Sequence, residues 1–340
     1  NTDLAKEIDR IIPTSGFNTL VGHSYTASYL NYYIDAGNDN MTSYILFSPE
    51  KMERMPGFET KYKTKSPSVR IITAMDDTEE RQTFGRNLYE NFQKMKYDVK
   101  LHSIKADHMS VIPAGIMQAL TSLYDKYYNI DSIYAAIERS DCPLWETFTS
   151  INENNRTLYK QELPVSGSCI SAFLWTAIQK DEKESIDKLR VYYEKALESE
   201  NSDPNALGVM GDLMNKLGLW KEADYYLQRC LDRYKKLKQE HETLYWRRVY
   251  SLNVLPKLGQ YKKAWKILEE GKKIYPDDKA IFCYYQGVLS ITNDYLIKKG
   301  IEQLKIALKY PDVLKNNFVN SDEAEVLLKK GMSKEKGVMP

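Results

Sequence analysis

Residues 17–24 read Phe17-Asn18-Thr19-Leu20-Val21-Gly22-His23-Ser24, and a helix-like stretch, Tyr25 to Ile34, follows at once. A serine on a sharp strand-to-helix turn has its hydroxyl held out over the end of a sheet, where it can act as a nucleophile. A short pattern matched once decides little, but two partners follow it. Asp76-Asp77 closes the strand-like run Val69-Arg70-Ile71-Ile72-Thr73-Ala74, and His108 follows the run Val99-Lys100-Leu101-His102-Ser103-Ile104. Serine, acid and histidine each stand just past a strand.

Working outward, residues 1–130 alternate strand and helix. Ala5 to Ile12 reads as a short amphipathic helix ended by Pro13 and Gly16. Ser43 to Ser48 is a further strand. Glu79 to Met95 places Phe84, Leu88, Tyr89, Phe92 and Met95 at helical spacing, and Ser110 to Tyr127 is a closing helix. Short apolar strands alternating with amphipathic helices predict an α/β domain, a parallel sheet covered on both faces.

Residues 183–330 change character. Leu207, Gly211, Gly218, Trp220, Ala223, Leu227 and Cys230 alternate small and large residues, and the pattern returns as Gly259, Tyr261, Ala264, Leu268, Gly271 and Pro276. A weaker copy holds Gly287, Gly300, Leu304, Ala307 and Pro311. Two helices cross closely only where side chains are short, and stacked helix pairs supply each other's core. The pattern resembles tetratricopeptide repeats, although Gly218 and Gly259 are further apart than the about 34 residues of the ideal unit. The extra residues, near Lys235 to Glu242, lengthen a helix or its loop. Residues 131–182 form a helical connector, with turns expected at Asn152 to Thr157 and Pro164 to Ser168.

The 48 basic and 47 acidic residues leave a net charge of +1, which gives no electrostatic case for nucleic acid or an anionic membrane. No apolar run approaches the roughly 18 residues of a membrane-spanning helix. Cys142, Cys169, Cys230 and Cys283 form no Cys-x-x-Cys pair, which argues against zinc and thioredoxin-like chemistry and leaves one or two disulfides open. Four scattered histidines argue against a metal site. No Gly-rich phosphate loop occurs, and no cofactor is expected.

Ser24 is the candidate nucleophile, which needs a neighbouring base to take its proton. His108 is the candidate base, and Asp77 or Asp76 the acid that fixes the imidazole. The backbone N–H of Tyr25 is one candidate oxyanion donor. Plainer readings compete: Ser24 as an N-cap, one of the two aspartates capping the helix at Glu79, His108 bonded to backbone, and His23 as a packing residue of the turn.

On Gly22-His23-Ser24, Phe47-Ser48-Pro49, the Ala74 to Asp77 segment and Asp107-His108-Met109-Ser110, the chain resembles the esterase family of α/β-hydrolases that includes enterochelin-esterase-like and esterase D-like enzymes. The resemblance covers about residues 1–130. It implies a serine carboxylic ester hydrolase acting through an acyl-enzyme on a small siderophore, acetyl or feruloyl type ester. In it Ser24 is the nucleophile and His108 the base, and Asp77, three residues past Ala74, is the acid. Thr26 and Ala27 stand where the family has glycines. The family's turn follows its fifth strand, so the sheet is expected to be partial, with N-terminal strands and a second oxyanion donor supplied by a missing upstream segment. Two alternatives remain: a degenerate hydrolase-like domain in a repeat-based interaction scaffold, and acyl transfer by the same serine. The resemblance leans toward a bacterial periplasmic or secreted protein. The repeats would bind a peptide or protein partner, or a second copy in a homo-dimer.

Overall fold

Val, Ile and Leu dominate the four apolar runs, and these fold as four parallel strands: β1 (Thr19–His23), β2 (Ser43–Phe47), β3 (Ser68–Ala74) and β4 (Asp98–Ile104), paired in the order β1-β2-β3-β4. The structure is a computed structural model that describes residues 7, 10, 11, 15–35, 41–51 and 67–336. The helix expected at Ala5 to Ile12 lies mostly outside the described residues.

Alternate residues of a strand face opposite sides of its sheet, and β2 shows both sides filled. Tyr44 and Leu46 join Val69 and Ile71 beneath α1 (Tyr25–Asp35) and α2 (Glu79–Lys94), through Ala27, Leu30, Leu88 and Phe92. Ile45 and Phe47 join Ile72 and Ala74 beneath α3 (Val111–Leu123), through Val111, Ala119 and Leu123. All five residues of β2 are buried, as a central parallel strand requires. One charge enters this core. Arg70 on β3 is 1% exposed, and its guanidinium donates to the carbonyls of Val69, Asp98 and Ser122 and to the Asp98 carboxylate.

The chain divides into two compact units, Asn1–Asn129 with Ser150–Leu163, and Ile130–Thr149 with Pro164–Pro340. The turn expected at Asn152 to Thr157 is instead the interior of a helix, Leu144–Tyr159. Asparagine disfavours helix interiors because its side chain competes for local backbone groups. Here those side chains are engaged elsewhere: Asn152 Oδ1 accepts from Leu163 N–H at 2.7 Å, Asn155 Oδ1 from Tyr128 N–H at 3.3 Å, and Asn154 Nδ2 donates to the Lys126 carbonyl at 3.2 Å. Tyr159 closes the first unit, its ring 5.4 Å from that of Phe17 and 5.3 Å from that of Tyr124. Near the other expected turn a helix begins at Gly167, capped by Ser166.

The second unit is helical. Pro204–Lys216 pairs with Trp220–Lys236, and Lys279–Thr292 with Ile297–Ala307; between them Tyr261–Ile274 packs on the helical stretch of residues 244–258. The helix Trp220–Lys236 is 17 residues long and is followed by a short turn at Glu240–Glu242, which lies in the stretch where the sequence holds its extra residues. Close crossings occur at glycines. A Cβ on Gly211 would come within 2.6 Å of Leu227, and one on Gly287 within 2.3 Å of Leu304. All four cysteines are free thiols, Cys142 exposed and the other three buried. Among the described residues no helix is long and apolar enough to cross a membrane.

Candidate active site

Ser24 follows β1 with φ of +54°, a left-handed conformation that costs a non-glycine residue about 1–2 kcal/mol. Two contacts hold it there. Its N–H donates to the Phe47 carbonyl at 2.9 Å, one residue past the β1–β2 register, and its carbonyl accepts the N–H of Ser28 at 3.1 Å to open α1. Ser24 therefore occupies an N-cap position by its backbone, while its hydroxyl turns away from the helix to Glu50 Oε1, at 3.4 Å. The close approach of α1 to the strand is made at Gly22, where a Cβ would stand 2.8 Å from both Cα and N of Ala27. Thr26 is exposed and Ala27 fully buried, so the larger residue sits where space is open. Tyr25 is the first residue of α1, a position whose N–H has no acceptor within the helix.

The candidate acid and the candidate base meet. His108 Nδ1 lies 2.8 Å from Asp77 Oδ2. The Asp77 side chain is 2% exposed. Its other oxygen accepts from Thr78 N–H at 2.8 Å and Arg81 Nη1 at 3.2 Å. Burial pushes the Asp77 pKa up, but the hydrogen bonds from His108, Thr78 and Arg81 outweigh it and hold the carboxyl below its ordinary value. An ionised Asp77 accepts only, so Nδ1 carries the proton and a neutral His108 presents Nε2 as an acceptor. Asp76 takes no part in this: its N–H donates to the Ala106 carbonyl at 3.0 Å, tying the loop after β3 to the exit of β4. The cap of α2 is Thr78, not either aspartate.

The loop carrying His108 is built by Asp107, whose Oδ1 accepts from Met109 N–H, Ser110 N–H and Ser110 Oγ at 3.0, 2.8 and 2.7 Å. Those bonds, from Ser110 first, hold the Asp107 pKa below the usual range. His23 fastens the same loop. Its Nε2 donates to the His108 carbonyl at 2.8 Å, and the two imidazoles lie tilted at 35° to each other with centroids 4.6 Å apart. Ser24 and His108 are not hydrogen-bonded to each other in this conformation; the serine faces Glu50 instead.

Glu50 and Arg81 went unnoticed in the sequence. Arg81 Nε and Nη2 donate to Glu50 Oε2 at 3.0 and 2.7 Å, so one guanidinium bridges the carboxylate beside Ser24 and the carboxylate beside His108. The i,i+4 spacing of Asp77 and Arg81 at a helix start was a readable signal. Glu50 gave none, because Pro49-Glu50 reads as an ordinary polar loop. Among the described residues no group of three His, Cys, Asp or Glu is arranged to hold a metal ion. The chain matches no protein-family model, no curated protein and no solved structure.

Proposed function

We propose that the first unit is a serine carboxylic ester hydrolase of the esterase-like α/β-hydrolase kind, joined to tetratricopeptide-like helices that bind a peptide or protein. One observation carries the reading: Asp77 Oδ2 lies 2.8 Å from His108 Nδ1, and a left-handed serine stands at the strand-to-helix turn whose His23 bonds the His108 carbonyl. In the reaction Ser24 exchanges its long Glu50 contact for His108 Nε2, which takes the hydroxyl proton as Oγ attacks the ester carbonyl carbon. The Tyr25 N–H and the positive end of α1 face the oxyanion. The bond to the alcohol oxygen breaks, and His108 returns the proton to the leaving alcohol. Water then adds to the acyl-enzyme by the same base, releasing acid and serine.

Labelling of the purified chain with a fluorophosphonate, followed by peptide mass mapping, tests this. The expected adduct is on Ser24; it disappears in Ser24→Ala together with ester hydrolysis, while the melting temperature moves by no more than a few degrees. The Ser24–Glu50 contact supports a second reading, a degenerate site in an interaction scaffold. A wild-type chain that takes no adduct and hydrolyses no ester would favour it.

A further inference from the structure

Glu50 is pinned at both backbone and side chain. Its N–H donates to Ser28 Oγ at 2.8 Å, and that hydroxyl donates back to the Glu50 carbonyl. Ser28 is itself fully buried on α1. At the other end Arg81 takes up Oε2 with two hydrogen bonds. Oε1 is left over. Its contact with Ser24 Oγ is 3.4 Å, well beyond the about 2.5–2.7 Å of a good hydroxyl-to-carboxylate bond. Among the described residues Oε1 has no other hydrogen-bond partner. A fixed, charged acceptor with open lone pairs therefore stands one contact away from the nucleophilic oxygen.

The tetrahedral centre formed on Ser24 Oγ carries three other groups. The oxyanion is repelled by Glu50 and drawn to the N–H of Tyr25. The leaving oxygen must lie at His108, which protonates it. The acyl chain is the arm that remains for the Glu50 side. A carboxylate there accepts from a donor on the chain and repels a second anion.

We propose that Glu50 Oε1 sets acyl specificity by accepting a hydrogen bond from a hydroxyl group next to the scissile carbonyl, so that the substrates are esters of 2-hydroxy acids and esters with an anionic acyl group are excluded. The proposal rests on Ser24 being the nucleophile. It also fixes the outcome of a single isosteric change. In Glu50→Gln the amide oxygen goes to the Arg81 donors, because a guanidinium cannot accept. The amide NH2 then replaces Oε1 and presents a donor where the wild type presents an acceptor.

The test compares ethyl propionate, ethyl lactate and the monoethyl ester of malonate in a pH-stat. The wild type is expected to favour lactate over propionate by roughly tenfold or more in kcat/KM, the effect of one charge-assisted hydrogen bond, and to turn over the malonate ester slowest. Glu50→Gln is expected to reverse the order of lactate and malonate. A wild type that hydrolyses the malonate ester as fast as propionate overturns the proposal, and so does a lactate-to-malonate ratio unchanged in Glu50→Gln. The wild-type series decides alone if the variant does not fold. Fluorophosphonate labelling separates the two levels. Labelled Ser24 with no acyl preference removes only the role of Glu50; no labelling and no turnover of any of the three removes the serine-hydrolase reading and this proposal with it.

Discussion

Asp77 gathers more of the site than any other residue. Its two oxygens take His108 on one side and Thr78 and Arg81 on the other, and those bonds overcome burial to keep it ionised below its ordinary pKa of 3.8. A carboxyl depressed in the folded state stabilises the fold above its unfolded pKa, and that stabilisation is lost as pH falls through the native value. Asp77→Asn is therefore expected to melt below the wild type at neutral pH, with the gap closing as pH falls below 3.8. Scanning calorimetry of both proteins across that range checks this; a gap that persists unchanged in acid would show that the ionised carboxylate is not its source. In the proposed ester hydrolysis the same variant favours the wrong imidazole tautomer, and kcat is expected to fall by about 10⁴-fold.

At the scale of elements, the strand-turn-helix of β1 and α1 depends on a contact too close for a side chain. Gly22→Ala would press a methyl group against the Ala27 backbone at 2.8 Å, where neither side can swing away. The expected cost is about 1–3 kcal/mol, seen as a lower denaturant midpoint, with slower fluorophosphonate labelling because Ser24 shifts with the helix. An unchanged midpoint would mean that α1 does not need the close approach. The strands and helices around this turn were legible in the sequence because their periods differ and their ends carry Gly, Pro or capping residues. That Asp76 or Asp77 would meet His108 was legible from their order along the chain, and the resemblance pointed to Asp77, which is the one bonded. The helix through Asn152 to Thr157 was not, because what frees those residues to be helical is bonding of their side chains to Tyr128, Leu163 and Lys126, which local pattern does not carry. Glu50 was hidden for a similar reason: its place beside Ser24 is created by Ser28 and Arg81 from two different helices.

Taken whole, the chain is two units with separate cores. Small residues at helix crossings made the helical unit readable, since Gly211 and Gly287 face Leu227 and Leu304 with no room between. Where the first unit would end was less plain, because residues 150–163 return to it after the chain has begun the second. All four cysteines fall in that second unit, and only Cys142 is exposed. Burial pushes the thiols of Cys169, Cys230 and Cys283 upward in pKa, away from the reactive thiolate. A maleimide is thus expected to count one thiol per native chain and four when the helices open, a count that a thiol titration along a denaturant series reads directly. On the proposed reading a serine probe reports on Ser24 in the sheet unit, and the maleimide on the cysteines of the helical unit. The protein thus carries two chemical clocks, one in each half, able to tell which half comes apart first.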